Sequence, residues 1–338
     1  MMMKENLRKL LYGCGVYVDK GLQEGVTFRG GIKGVAVWLA FPLTILEIWK
    51  NRRRQRRIDS TAFKYKLAML AIAKNEADYI SEWLSFHKLQ GVECVFLYDN
   101  ESTDGMKDVL QPYIDDGFVV YHTIQGKGKQ MEAYNDAIKR YGDQCKYMAV
   151  IDCDEFLLPV DTNETLIDVI ERTFEKDRYA GGIGVNWCLY GSSGIEEKTE
   201  GLVIERFLNR AQASFEKNVH IKSIVKPQTV KLFRNPHNPQ YQRGFYTIDM
   251  EGHLIGSFYH QIESFCGLRI NHYFCKSKQE WVDRRKIGRG DKVDVVRKID
   301  DFYAHDRNDV YDDIALKYAR NVKNLMSKYT KGEKHAFC

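Results

Sequence analysis

Disulfide frameworks, secretory signals and membrane-spanning helices are not expected in this 338-residue sequence. None of its eight cysteines shows CxxC or metal-ligand spacing, and several fall inside predicted strands, which favours reduced, buried thiols in a cytoplasmic protein. The first 11 residues are too polar for a secretory signal, and no export is expected. With 44% hydrophobic and 29% charged residues, the composition is that of an ordinary globular protein.

The apolar run 34–49 is too short to span a bilayer. It has 16 residues, includes Pro42 and Glu47, and falls below the roughly 20 apolar residues that a crossing needs. An arginine cluster, 51–57, follows it, and residues 1–57 carry 12 Lys/Arg against 4 Asp/Glu. Two interpretations stay open: a helix in the membrane interface at the cytoplasmic face, with Trp38 and Trp49 near the headgroups, or a helix packed on the protein.

From Lys66 onward, short apolar runs alternate with helical patterns. A continuous run such as 67–73 (LAMLAIA) is typical of a strand that is buried on both faces of a sheet. The alternation predicts a parallel sheet with helices on both faces, whose ligands bind at the carboxyl ends of the strands. The predicted strands are 67–73, 93–98, 118–123 and 147–151, and the predicted helices are 80–90, 105–113, 130–141 and, near the C-terminus, 311–329.

Polar and acidic residues collect at the predicted strand ends. Asn75 and Glu76 follow the first strand, 99–104 follows the second, and Asp152-Cys153-Asp154 follows the fourth. Two aspartates directly after a buried strand need a compensating cation, and oxygen ligands suit Mg²⁺ or Mn²⁺. Because this spacing is common by chance, the ordinary alternative is a solvated acidic turn.

Several motifs in the same order give the paired aspartates a context. Segment 67–158 resembles the core of GT-A-type glycosyltransferases and, more narrowly, glycosyltransferase family 92, and the similarity continues to Tyr318. The motifs that carry it are 73–76 (AKNE), Glu82-Trp83 with His87, 98–104 (YDNESTD), 151–156 (IDCDEF), Asn186-Trp187, 190–194 (YGSSG), 220–227 (HIKSIVKP) and Asn271-His272-Tyr273 with Lys276-Ser277.

The resemblance implies a GT-A-type α/β fold, in which a mostly parallel central sheet is flanked by helices. An N-terminal basic segment, 1–60, would precede one catalytic domain, 61–330, and a C-terminal helix would close it. The implied reaction is a metal-dependent transfer of a hexose, galactose or a similar sugar, from a UDP-sugar to a glycan or glycolipid acceptor, with inversion.

The resemblance also implies roles for residues at the strand ends. Asp152 and Asp154 would hold Mn²⁺ or Mg²⁺ and, through it, the diphosphate of the donor. Asn75, Glu76 and Asp99 would line the nucleotide pocket, where their oxygens can accept hydrogen bonds from a base or a ribose.

Further positions complete the expected site. Gln130, at the start of a helix, is expected to face the donor, and Trp187 to stack on the acceptor sugar or else to be a core side chain. His272 is chosen as the third metal ligand among the histidines of the C-terminal half. Inversion needs a carboxylate base near the acceptor hydroxyl, and Asp249 and Glu205 are both left open for that role.

Basic side chains are expected beside the diphosphate, because a departing nucleotide is stabilised by positive charge. Lys222, Lys226, Lys276 and Arg289 are the candidates, and the ordinary alternative for each is a solvated side chain.

Two other functions compete with glycosyl transfer. A nucleotidyltransferase acting on a sugar phosphate would show a Gly-rich basic loop after the first strand, where Lys74, Asn75 and Glu76 stand instead. A binder of membranes or nucleic acid that used only the arginine cluster would leave the paired aspartates without a role. The sequence therefore favours a glycosyltransferase, without a nucleic-acid partner.

Overall fold

The computed structural model describes residues 2–19, 26–28, 30, 34–35, 39, 41–285 and 298–330. Trp38 and Arg289, which the sequence singles out, lie outside the described residues. The helices are α1 (Met2–Gly13), α2 (Phe41–Asp59), α3 (Ile80–Leu89), α4 (Met106–Asp115), α5 (Gln130–Tyr141), α6 (Leu166–Lys176), α7 (Val203–Arg206), α8 (Lys278–Arg285), α9 (Ile299–His305) and α10 (Ala319–Thr330). The strands are β1 (Tyr17–Asp19), β2 (Val26–Phe28), β3 (Tyr65–Ala73), β4 (Cys94–Asp99), β5 (Val119–Thr123), β6 (Cys145–Val150), β7 (Glu155–Pro159), β8 (Ala180–Leu189), β9 (Asn209–Arg210), β10 (Ile221–Val225), β11 (Val230–Leu232), β12 (Gln240–Tyr241), β13 (Tyr246–Ile248), β14 (Leu254–Ile255), β15 (Leu268–His272) and β16 (Val310–Tyr311).

The central sheet confirms the predicted α/β class. Strands β6, β3, β4 and β5 lie side by side and parallel, and each begins and ends within two residues of its predicted bounds. Side chains of β3 alternate between two apolar clusters. Leu67, Met69 and Ala71 pack with α3 and α4 on one face, while Ala68 and Leu70 pack with α5 on the other. This alternation explains why β3 is apolar from Leu67 to Ala73.

The second half of the sheet is mixed. β10 lies antiparallel between β6 and β8, β13 and β15 run parallel to β8, and β15 also pairs antiparallel with β7. Because β10 runs against β6, the first residues of β10 lie beside the last residues of β6. The parallel part of the predicted sheet thus holds, and antiparallel strands extend it.

The C-terminal helix begins later than its apolar periodicity predicts. Tyr311 lies in β16, which pairs with β9, and the helix α10 begins only at Ala319. The hydroxyl of Tyr329 donates to Asp116 Oδ2 at 2.6 Å, which ties the end of α10 to the end of α4. The expected packing of this helix against the core is therefore present over a shorter length.

The N-terminal helices pack against the α/β body. In α1, Lys9 Nζ donates to Asp177 Oδ2 at 2.8 Å. In α2, the Arg52 guanidinium donates to the carbonyl oxygen of Gly244 and lies 3.5 Å from the ring centroid of Tyr179. In the stretches of chain just described, every helix is too short or too polar to cross a bilayer.

Candidate active site

The candidate site lies where the chain changes direction across the sheet. From β3 the chain proceeds outward through β4 and β5, then returns to the other side of β3 as β6. Asn75 and Glu76 follow β3, and Asp152 and Asp154 follow β6, so the polar strand ends predicted from the sequence meet at one edge. Such a crossing point is where open α/β sheets bind ligands.

The loop after β4 is built by two of the predicted nucleotide-binding residues. Asn75, which has φ 55, accepts a hydrogen bond at Oδ1 from the backbone N–H of Thr103 at 2.8 Å. Asp99 accepts from the N–H of Ser102 at 2.9 Å and from the hydroxyl of Tyr121 at 2.6 Å. Both oxygens of Asp99 thus already have protein donors, and its contact with a base or ribose stays a prediction.

Asp152 is held from two sides. Its Oδ1 accepts from Gln130 Nε2 at 3.0 Å and from the Tyr134 hydroxyl at 3.2 Å, and its Oδ2 lies 2.8 Å from Lys222 Nζ. Burial would lower the pKa of Lys222, but Asp152 and Glu155 outweigh it and raise that pKa. Gln130 thus contacts Asp152, and its expected contact with the donor stays a prediction. Lys222 is the buried counter-charge of Asp152.

Glu155 is a fully buried carboxyl directly behind Asp152. Its Oε2 accepts from the backbone N–H of Asp152 at 2.8 Å and lies 3.8 Å from Lys222 Nζ. Burial raises the pKa of Glu155 well above its ordinary value, although Lys222 opposes the rise. One lysine therefore serves two acidic side chains.

Asp154 points to a different set of partners. Its Oδ2 lies 2.7 Å from Arg284 Nη1 and 3.5 Å from His272 Nε2, and Arg284 Nη2 lies 3.1 Å from Glu76 Oε1. Burial would raise the pKa of Asp154, but Arg284 and His272 hold that pKa well below its usual range. Arg284 thus bridges the acidic residues that follow β3 and β6.

His272 lies between Asp154 and an aromatic wall. Its ring is 4.4 Å from that of Trp187, which also stacks on His220 at 4.9 Å. The buried Nδ1 of His272 has no hydrogen-bond partner among the described residues. The predicted ligand His272 therefore reaches Asp154, and Trp187 lies beside it.

The three predicted metal ligands converge only in part. Over the described chain, the one trio of potential ligand atoms within 4.8 Å of one another belongs to Asp249, Glu251 and His253. Asp152 stands apart from Asp154 and His272, because Lys222 holds its carboxylate on the side of α5.

A cavity of about 160 Å³ opens beside Arg284, which contacts Asp154. Asn75, Glu76, Lys276 and Arg284 are among its lining residues. Lys276, at φ 51, is buried, and its Nζ has no hydrogen-bond partner in the described chain and lies 3.6 Å from the ring centroid of Tyr79. Burial lowers the pKa of Lys276, with Glu76 opposing. A buried ammonium that lines a cavity and lacks a hydrogen-bond partner in the described chain suits an anionic ligand.

The structure corrects the expectation for Lys226. Val225 pairs with Met148, whereas Ser223 pairs with Val150, so Lys226 lies toward the amino end of β6, away from Asp152. Its Nζ lies 4.8 Å from the ring centroid of Phe174. Because β10 is antiparallel to β6, Lys222, and not Lys226, lies beside the end of β6 that carries Asp152.

The two carboxylates considered as the base have local partners. Asp249 accepts at Oδ1 from the N–H groups of Glu251 and His253, both at 2.8 Å. Glu205 accepts from the N–H of Leu202 at 3.1 Å and from Lys323 Nζ at 2.6 Å. These contacts stabilise a turn and a short helix, and the choice of base stays a prediction.

Sequence reasoning missed Arg284 and Tyr134. The sequence could have revealed Tyr134, because it follows Gln130 by one helical turn and so lies on the same face of α5. Arg284 gives no such signal, since no motif surrounds it and its partner Asp154 is 130 positions away.

Comparisons of the sequence with known proteins point to one family. The model of glycosyltransferase family 92 matches residues 67–292, more than half of the chain. A family 92 protein of Oryza sativa subsp. japonica is 26% identical over 285 residues, covering 81% of this chain and 46% of the relative. The beta-1,4-galactosyltransferase galt-1 of Caenorhabditis elegans is 29% identical over 221 residues, covering 62% of this chain and 50% of the relative.

The chain is shorter than the proteins it resembles. It spans 46%, 36% and 42% of the rice, Arabidopsis thaliana and Ricinus communis family 92 proteins. Among solved structures, the S. aureus TarS fragment in complex with UDP is 14% identical, covers 81% of this chain and 94% of that chain, and has a TM-score of 0.37.

Proposed function

Since the chain belongs to glycosyltransferase family 92, we propose that it is a metal-dependent enzyme that moves a hexose from a UDP-sugar to a glycan acceptor with inversion. The proposal rests on two aspartates at one edge of the sheet, each of which forms an ion pair: Asp152 with Lys222, and Asp154 with Arg284. Galactose or a similar sugar is the proposed hexose, and the name of the C. elegans relative supports it.

The proposed cofactor is Mn²⁺ or Mg²⁺. Asp154 and His272 would hold it from their present positions, and Asp152 would join them after its carboxylate turns away from Lys222. Carboxylate oxygens with one imidazole nitrogen form a donor set that suits Mn²⁺. The 3.5 Å between His272 Nε2 and Asp154 Oδ2 is close to the roughly 3 Å between adjacent ligands of an octahedral ion with bonds of about 2.1 Å. Such an ion, when bound, stabilises the charge of a departing diphosphate.

Basic side chains of the protein would supply further positive charge beside the diphosphate. Lys276 and Arg284, which line the cavity, would bind diphosphate oxygens of the donor. Lys222 compensates the charge of Asp152 until the ion binds. Transfer breaks the bond between the sugar C1 and the diphosphate oxygen and forms the bond to the acceptor oxygen. A carboxylate base takes the acceptor's proton, and Asp249 and Glu205 remain its candidates.

Donor hydrolysis tests the reaction directly. We expect the purified chain to release UDP slowly from one UDP-hexose of a panel when Mn²⁺ is present. Asp154→Asn should lower that rate about 100-fold or more, because charge stabilisation in the transition state is lost. Asp108→Asn, an exposed change on α4, is the matched control and should keep the wild-type rate. Undiminished release by Asp154→Asn would refute the proposal, and pyrophosphate release from a nucleoside triphosphate would favour nucleotidyl transfer.

The proposal includes a cytoplasmic location at the face of a membrane. No disulfide joins any two cysteines of the described residues, and most of these thiols are buried. Reduced thiols of this kind support a reducing compartment.

A further inference from the structure

Helix α2 has two unlike sides. Thr44 and Ile48 are buried against the body of the protein. On the opposite side, Leu43 keeps 72% of its surface exposed, Leu46 keeps 48% and Trp49 keeps 55%. These three residues recur at intervals of three, so they lie along one outward side of the helix. An outward apolar side of this kind is typical of an interaction surface.

The same outward side becomes basic farther along the helix. Lys50, Arg53 and Arg57 are exposed and continue it at helical spacing. The Arg53 guanidinium lies 5.2 Å from the ring centroid of Trp49. Within Phe41–Asp59 there are six Lys/Arg residues against two Asp/Glu. Along its axis, α2 thus presents leucines, then an indole, then cations.

Contacts with the body fix the orientation of α2. Asn51 Nδ2 donates to the carbonyl oxygen of Arg243 at 3.1 Å, and Arg52 donates to that of Gly244 at 3.3 and 3.2 Å. A side chain on Gly244 would meet Ile48 at 2.8 Å, so the helix and this loop are in close contact. Turning Leu43 and Leu46 inward would break these contacts.

We propose that the outward side of α2, defined by Leu43, Leu46, Trp49, Arg53 and Arg57, binds a membrane surface containing anionic lipid. The leucines enter the boundary between headgroups and acyl chains, the indole lies at headgroup level, and the guanidinium groups meet lipid phosphates. A nucleic acid would neutralise the arginines but leave the leucines uncovered. The proposal goes beyond the sugar transfer and does not depend on it.

Co-sedimentation of the full chain with vesicles tests this surface. The chain should sediment with vesicles of phosphatidylcholine and phosphatidylglycerol, and weakly with phosphatidylcholine alone. Leu43→Ser with Leu46→Ser should lower the partition coefficient at least about tenfold, because two leucines no longer enter the lipid. Arg53→Gln with Arg57→Gln should lower it by about fivefold per charge, and added salt should do the same.

Matched changes elsewhere separate this surface from general effects. Leu89→Ser on α3 removes another exposed leucine, and Lys107→Gln with Lys139→Gln removes two exposed charges from α4 and α5. These controls should bind vesicles like the wild type. Equal binding by the α2 variants and the controls would overturn the proposal. So would displacement by inorganic phosphate that exceeds the displacement by sodium chloride at the same ionic strength, or binding to duplex DNA without binding to vesicles. Unchanged circular dichroism shows that every variant is folded.

Discussion

Replacing Lys222 by methionine tests whether one lysine stabilises the buried acidic cluster. Its ammonium lies 2.8 Å from Asp152 Oδ2 and 3.8 Å from Glu155 Oε2. Removing one partner of a buried ion pair leaves the other charge uncompensated, which costs about 3–5 kcal/mol. The side chain of Asp152 is 33% exposed, so water compensates part of its charge. Glu155, which is fully buried, accounts for most of the expected loss.

The loss should depend on pH through Glu155. Burial raises its pKa above the ordinary 4.5, and Lys222 opposes the rise, so the pKa rises further in Lys222→Met. A group whose pKa is higher in the folded than in the unfolded chain contributes stability that is complete below the unfolded value. That stability is lost as the pH rises through the folded value. The variant should therefore differ least from the wild type in acid and most at neutral and higher pH.

Urea unfolding followed by circular dichroism at several pH values measures this effect. Lys226→Met is the matched control: Lys226 is also buried, but its ammonium lies over the Phe174 ring, so the change should cost less than about 1.5 kcal/mol. Adding Glu155→Gln to Lys222→Met should recover part of the loss. The reasoning is refuted if Lys222→Met is as stable as Lys226→Met at neutral pH, or if its loss is the same at every pH.

Two further predictions concern buried carboxyl groups near the site. Burial raises the pKa of Glu82 to about 7, so its contribution to stability is complete below 4.5 and is lost as the pH rises through 7. Glu82→Gln should flatten the melting temperature between roughly pH 5 and 8, and an unchanged profile contradicts this. Arg206→Met breaks a buried double contact with Glu280, at 3.0 and 2.9 Å, and should cost about 3–5 kcal/mol in urea unfolding. Lys198→Met, which breaks an exposed ion pair with Asp78, should cost less than about 1 kcal/mol. If both variants lose the same stability, the buried pair is no stronger than the exposed one, and the prediction is wrong.

Local patterns predict the parallel half of the sheet well. Neighbours in sequence determine the apolar strand β3 and the helix Gln130–Tyr141. The predicted bounds of both elements lie within two residues of the observed ones. The strand ends that carry Glu76, Asp152 and Asp154 follow from these elements, because parallel strands end at the same edge.

Tertiary pairing is what the sequence could not supply. The sequence makes Lys222 and Lys226 equal candidates for the diphosphate site, and only the direction of β10 shows that Lys222 is the one near Asp152. Arg284 reaches Asp154 from α8, which lies outside the sheet, and no periodicity connects the two. The late start of α10 has a similar cause, since Tyr311 pairs with Asn209 in a short strand instead of continuing the helical face.

The direction and register of β10 limit which changes of length this chain tolerates next to that strand. Side chains alternate between the faces of a strand, so a shift by one position would bring Ile221 or Ser223 to the place of Lys222. The sheet could still form its ladder, but Asp152 and Glu155 would lose their shared cation. Because all five residues of β10 are buried, an insertion or deletion that shifts this strand should disrupt the candidate site and the packing of the sheet together.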